Sequence, residues 1–572
     1  MKNLLFALLA ALSAGLASAT DYRWASAQNG DFGTAANWSP STGVPGGSDK
    51  AIFDVDGAYI VTETEATRTI GSVNVTNADV TVNLGGNAWT VNGPWSTYNR
   101  TADAATTFTT ISGGTLVVQD GSASDSSGII VSLKNSNNTK GNLRITGANT
   151  RVTTGALWMG GASGSFTLDS GAACDVAGDV HWGGIGAGGS DNTVTITGAG
   201  TTFRQTAAGS NTGNIIGDSN KVYFADSASA YFTSTYYLSG TYGGRWNELW
   251  ITNGASVVFG DGLVVSYNQN GDKRTITSNV CTIAGADTQV IVTNSLWVSQ
   301  SATSNSLHIT DRAVVMQRGE VEDSVTIGRN GDALDRACGN EFRVDEGAEY
   351  HCVSGIKSVS TYLNLYLGSG EYSHGNRIFV GAGSTFEIAR PNGTIAAVGY
   401  NGGHDNGIIV SNGTFNISTT SWHLKFGTSA NDSTPCGSGN YVEFYGDHPL
   451  VYMGTLTFNT GSKLIYHIDA DGYAVAPMNF RCTATNTSAA PARLVLDVAN
   501  WQPKCKTTIP LAVTMRDADI DNNKALLDEL IANVELKGTK HQDYYTLSLS
   551  PDNKTLLLTC TPKGFGFLLI LR

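Results

Sequence analysis

An asparagine followed two and four residues later by apolar side chains returns about every 30 positions through the middle of this chain, and self-similarity at that period marks stacked repeats. Asn192-Thr-Val-Thr-Ile196, Asn247-Glu-Leu-Trp-Ile251 and Asn305-Ser-Leu-His-Ile309 show the pattern, and Asn220, Asn279, Asn340, Asn376, Asn406 and Asn440 open further copies in the same register. Each copy is too short to bury an apolar face alone. It must stack on its neighbours.

One unit has a readable interior. From Asn247, Leu249 and Ile251 alternate, Thr252-Asn253-Gly254-Ala255 turns the chain, Val257 and Phe259 alternate again, Asp261-Gly262 turns it, and Leu263 and Val265 form a third strand. Period-2 alternation with Gly and Asn corners is a strand signal. A glycine closes the third strand repeatedly, as at Gly183, Gly328, Gly368 and Gly399. Looser copies open at Asn142 and Ser165, and an earlier one covers Phe108 to Val131. The fold class expected is all-β: a single-stranded right-handed parallel β-helix with three short strands per turn and about 11–13 turns. The shared asparagine would form an amide ladder at one corner. A β-propeller needs blades of roughly 40 to 50 residues, longer than these units.

The 68 glycines and only 15% charged residues among 572 fit short strands and turns. Lys2, the apolar run Leu4 to Leu16 and Ala17-Ser18-Ala19 form a secretory signal peptide over residues 1–19, too short to be a membrane span. Residues 20–106, with Trp24, Trp38 and several prolines, are expected to cap the β-helix. The repeats run over 107–472, and 473–572 form a small α+β cap. In that last part Leu526, Leu527, Leu530, Ile531 and Val534 have helical spacing, and Thr546 to Thr559 reads as a hairpin. The formal charge of −13 disfavours nucleic acid and anionic membranes. Eight cysteines permit disulfides in an exported chain, yet Cys281 falls in register with Leu249 and Leu307, where a free thiol acts as a small hydrophobe.

The opening Trp24…Gly30-Asp31-Phe32…Asn37-Trp38…Pro45…Asp49-Lys-Ala-Ile-Phe53, with units such as Val194-Thr-Ile-Thr-Gly-Ala-Gly-Thr-Thr-Phe203, resembles the autotransporter passenger-like β-helices of sorted surface proteins in Gram-negative and related bacteria. The resemblance covers roughly residues 20 to 470 and implies an extracellular or outer-surface location with a structural or adhesive role. It implies no particular activity.

Catalytic signatures were weighed against that expectation. The Asn-Thr-Asp, Asp-Asp and Gly-His-Gly strings of polygalacturonase-like sites are missing. The densest charge, Asp311 to Glu349 with Arg318, Glu320, Glu322, Asp323, Arg329, Asp332, Asp335 and Arg336, reads as a mutually paired surface. Asp517, Asp519, Asp521 and Asp528 occupy calcium-loop positions, although Asn522 stands where that loop needs glycine; the alternative is a helix start that satisfies free amides. No other cofactor is expected. Gly161-Ala-Ser163-Gly164 arises from composition rather than a nucleophile elbow. Trp158, Trp182, Tyr236, Tyr237, Trp246, Trp250 and Trp297 are either sugar-stacking rings or ordinary outward strand residues. The function expected is therefore an exported structural or adhesin-like β-helix that contacts glycans or other surface components. The alternative is a polysaccharide lyase or glycosidase on the same scaffold. Oligomeric state and ligand are left open.

Overall fold

A computed structural model describes residues 19–99, 107–119, 128–132, 139–183, 189–206, 214–215, 217–240, 244–268, 276–319, 325–329, 336–353, 363–389, 395–417, 423–427, 437–446, 450–458, 461–470, 478–482, 491–514 and 520–563. The chain divides into two compact units, Met1–Ser234 and Thr235–Arg572. Both are built from strands that pair in parallel with their counterparts one coil away. The fold is a parallel β-helix.

In the first unit the first strands of successive coils, Phe108–Ser112, Asn142–Thr146, Ser165–Asp169, Thr193–Thr197 and Lys221–Ala225, pair in register. Second strands such as Ala173–Val176 and Thr202–Gln205 do the same, as do third strands such as Leu157–Met159 and Val180–Trp182. Inward side chains form aliphatic and aromatic columns, for example Ile145, Leu168 and Ile196, all fully buried. Regular coiling begins earlier than the asparagine pattern indicates, because Ala58–Thr62 already pairs in parallel with Asp79–Asn83, which pairs in parallel with Phe108–Ser112. What differs at this end is Asp21–Trp24, which runs parallel to Lys50–Phe53 on one side and antiparallel to Trp38–Ser39 on the other. An antiparallel turn-back ends the growth of a parallel stack. Trp24, Phe32, Trp38, Phe53 and Trp89 fill the first coils with edge-on and tilted contacts, such as Phe32 with Trp38 at 4.8 Å and with Trp89 at 4.7 Å.

Glu63 and Arg68 are buried in this aromatic end. Glu63 accepts from Arg68 Nε and from Trp89 Nε1 at 2.6 Å, while the Arg68 guanidinium lies 4.7 Å from the Phe32 ring centre. Every strong hydrogen-bonding direction of the carboxylate is used, which a buried charge requires.

In the second unit Ile251, Ile283 and Ile309 stack in one column, continued by Val344, Val380 and Val410. Cys281 lies between Leu249 and Leu307, fully buried and free. The asparagine ladder is present. Asn305 Oδ1 accepts both the backbone N–H of Asn279 at 3.0 Å and its Nδ2 at 3.1 Å, and the same pair of bonds recurs to Asn340, Asn376, Asn406 and Asn440. The remaining amide hydrogen goes to a backbone carbonyl, as from Asn376 to Ala337 at 2.8 Å. In the first unit Asn192 and Asn220 make the same rung. Aspartate lacks the donors for this role and glutamine is one methylene too long.

Two neighbours explain the rest of the corner. The residue before each ladder asparagine is left-handed, including Ser278, Ser304, Gly375 and Asp405, with φ between 54° and 69° over the nine rungs. The closing glycines at Gly368 and Gly399 also have positive φ, and a Cβ on them would fall 2.1 Å from the side chains of Asn406 and Asn440.

Asn142 opens its coil as expected but stands one position later than the ladder asparagines. Pairing places it beside Phe108 and Ser165, so Gly141 and Gly164 hold the rung position. Instead Asn142 Oδ1 accepts the Ser165 hydroxyl at 2.6 Å.

The parallel sheet also continues past Tyr473, through Lys463–His467, Arg493–Asp497 and Val534–Lys537. Ser462 and Ala492 take the rung position there. The N–H of Ala492 is met by Glu529 Oε1 at 3.1 Å, a carboxylate supplied by Ile520–Ala532, the one α-helix among the described residues. Leu526, Leu527 and Leu530 are its buried face; Val534 lies beyond the helix, opens a strand and is 36% exposed. Tyr545–Leu549 and Thr555–Cys560 form the expected hairpin, and Thr507–Thr514 pairs antiparallel with Thr555–Cys560, again turning the sheet back.

Candidate functional site

Because inward positions are consumed by the core, a site on this scaffold must use outward strand positions or corners. On the third-strand face of the second unit, pairing aligns Tyr237, Val264, Trp297, Thr326 and Tyr366 in one outward row. Tyr267, Gln300, Arg329 and Ser369 form the row beside it. Rings from both rows meet in a zigzag, Tyr237 with Tyr267 at 5.8 Å and Tyr267 with Trp297 at 5.8 Å. Further along, Tyr366 and Tyr400 lie 5.8 Å apart, with the Arg329 guanidinium 5.5 Å from the Tyr366 ring. All five rings are half-buried, so their faces remain partly open. Burial and the neighbouring Tyr267 and Asp261 raise the Tyr237 phenol above its ordinary pKa, and burial raises that of Tyr366, so both keep their hydroxyl protons.

Polar groups flank the first three rings. Asp261 accepts from Thr235 at 2.6 Å and from Asn294 at 3.1 Å, and the side-chain oxygens of Gln300 and Thr326 have no hydrogen-bond partner among the described residues.

Two histidines on other outward faces are each clasped by carboxylates. His467 lies 2.7 Å from Glu443 and 3.2 Å from Asp497, with Tyr445 stacked on it at 3.9 Å and donating to Glu443 at 2.7 Å. The Glu443 hydrogen bond outweighs burial and raises the His467 pKa; burial opposes, but the bonds from His467 and Tyr445 lower that of Glu443. His351 bridges Glu387 at 2.8 Å and Glu349 at 3.0 Å, and these bonds raise its pKa against the opposing effect of burial. With both ring nitrogens engaged, each imidazole ties neighbouring strands together. At a corner, His374 and His404 stack at 5.1 Å beside a cavity of about 280 Å³ lined by Arg336, Glu371 and Tyr372.

The residues singled out in the sequence separate cleanly. Trp182 and Tyr236 are fully buried inward residues, and Trp158 is buried against His181 at 4.0 Å, so none of the three is an open platform. Trp250 faces outward and donates to Glu248 at 2.9 Å. Trp246 is a left-handed corner residue, 51% exposed, beneath the Arg245 guanidinium. Tyr237 and Trp297 belong to the ring strip. Tyr267, Tyr366 and Tyr400 were missed, because variable third-strand loops and a bulge near Ser299 hide which residues face outward.

Ser163 is a left-handed corner residue, not an elbow. In the charged stretch, Glu341 pairs with Arg377 and Arg343 with Asp345, and the Arg343 guanidinium lies 3.9 Å from the Phe379 ring. Glu320, Glu322, Asp323, Asp332 and Asp335 lie outside the described residues, as do Asp517 and Asp519 and residues 1–18, over which the leader is expected. Asp521 is in the first turn of the helix and Asp528 pairs with Lys524 on its exposed face. No cluster of three His, Cys, Asp or Glu placed to hold a metal occurs among the described residues. No helix among them is long and apolar enough to cross a membrane.

No protein-family model, curated protein or solved structure matches the chain.

Proposed function

We propose that this chain is an exported, surface-associated or secreted β-helix protein of structural or adhesin-like character, akin to autotransporter passengers. The observation that carries the reading is the asparagine ladder from Asn279 to Asn440, in which each coil is tied to the next by two side-chain hydrogen bonds. A backbone joined coil by coil through buried amides resists the local opening on which proteases depend, a property suited to life outside the cell. The leader-like first 19 residues support export. The partly open rings on its outer face offer contact with glycans or other surface components.

Antibody labelling of intact producing cells tests the proposal: label without permeabilisation, surviving an external protease treatment that digests an unfolded control, is the expected result. Label confined to permeabilised cells overturns it.

A second reading, a polysaccharide lyase or glycosidase, draws on the His467 cluster, where an imidazole and two carboxylates could exchange protons. Product release from acidic or neutral polysaccharides, abolished by Glu443→Gln, is the result that would put it first.

A further inference from the structure

The geometry points to Tyr237, Tyr267 and Trp297 as a binding strip for one extended chain of neutral hexopyranose units, laid along the stacking direction. This deepens the surface-contact reading above and rests on it.

The rings come from three successive coils and are spaced 5.8 Å apart, close to the advance per unit of an extended β-linked pyranose chain. A pyranose with equatorial hydroxyls presents a patch of axial C–H bonds, which packs on the electron-rich face of an aromatic ring. Successive rings are inclined by 32° and 55°, so the strip suits a chain that twists as it advances. Equatorial hydroxyls project sideways from such a chain. Beside the rings they would meet the exposed Asp261 carboxylate, which Thr235 and Asn294 hold in place. A carboxylate accepts from two sugar hydroxyls at once, and such charge-assisted hydrogen bonds are the stronger ones.

Charge selects the class of sugar. Asp261 borders the Tyr237 end of the strip, Arg329 lies one coil beyond its Trp297 end, and the chain carries a formal charge of −13, so the net field disfavours a polyuronate or sulfated chain. A neutral chain escapes that cost. Stacking on rigid rings that are already fixed by their neighbours also loses little conformational entropy on binding.

Affinity electrophoresis of the mature protein through gels holding hydroxyethylcellulose, a polyuronate or a sulfated galactan tests this, with unfolding midpoints confirming that each variant folds. The expected result is retardation by the neutral polymer alone, weakened about tenfold in Trp297→Ala and in Tyr267→Ala. Tyr231→Ala, outside the strip, should bind as the unaltered chain does. Retardation that survives the Trp297→Ala/Tyr267→Ala double variant overturns the strip while leaving glycan contact standing. Retardation only by the charged polymers, or by none, overturns the inference, and the cell-labelling experiment separately decides the surface reading.

Discussion

The Nδ2 of Asn376 lies 2.9 Å from the Oδ1 of Asn406, and the backbone N–H of Asn376 reaches the same oxygen at 3.0 Å. One side-chain oxygen thus satisfies two donors from the coil before it. The arrangement ties a buried polar side chain to a buried backbone group, so neither can be removed alone without leaving the other unmet.

Asn376→Ala should therefore cost about 3 kcal/mol or more, since it strands both the backbone and the side-chain donor of Asn340. Asn376→Asp should be worse, because a carboxylate replaces donors with a charge facing oxygens. Urea unfolding of the two variants checks both the size and the order.

Glycine replacement separates strain from collision. Gly86 has φ of 89° with open space where a Cβ would go, so Gly86→Ala should cost about 1 kcal/mol from conformation alone. Gly399→Ala adds a clash at 2.1 Å with Asn440 and should cost clearly more. Denaturant midpoints of the pair decide it.

At the aromatic end, Glu63 and Arg68 have side chains 0% and 5% exposed. Arg68→Met leaves a buried carboxylate unpaired and should cost about 3–5 kcal/mol. Adding Glu63→Gln removes the charge while keeping an acceptor for Trp89, so the double variant should recover part of that loss in the same unfolding measurement.

His467 makes stability depend on pH in a defined direction. Its folded pKa is raised, so its contribution is complete below the ordinary value of 6.5 and fades as pH rises through the folded value. Glu443 is lowered from 4.5, so its contribution holds above that value and fades as pH falls through the folded one. Asp497, Tyr445 and Lys537 share the surroundings and keep the cluster near charge balance. The cluster should contribute most between the two ordinary values, near pH 5 to 6. His467→Asn should flatten the pH dependence of the urea midpoint between that range and alkaline pH.

Much of this was readable in the residues themselves. The spacing of Leu249, Ile251 and Val257 contains the strand alternation, and the repeated asparagine contains the coil. The helix and hairpin near the end follow from Leu526, Leu527 and Leu530 and from the turn at Asp552. Asn142 opens a coil as the loose pattern indicates, and backbone pairing adds that Gly141 holds the rung there. The alternation of Val194 and Ile196 extends back to Ala58 without the asparagine that announces it elsewhere. The ring strip was only half visible. Tyr267 and Trp297 meet because loops of unequal length return to the same face, and a count along the chain carries no information about that return.

Disulfide trapping across one coil tests the stacked-coil account most directly. Thr195 and Tyr223 pair across adjacent coils, whereas Thr167 is one coil further from Tyr223. Coils about 4.8 Å apart lie within disulfide reach, and two coils at about 9.6 Å do not. Mild oxidation should cross-link Thr195→Cys/Tyr223→Cys rapidly and leave Thr167→Cys/Tyr223→Cys open. Equal trapping of both pairs, or of the distant pair alone, would contradict the stack.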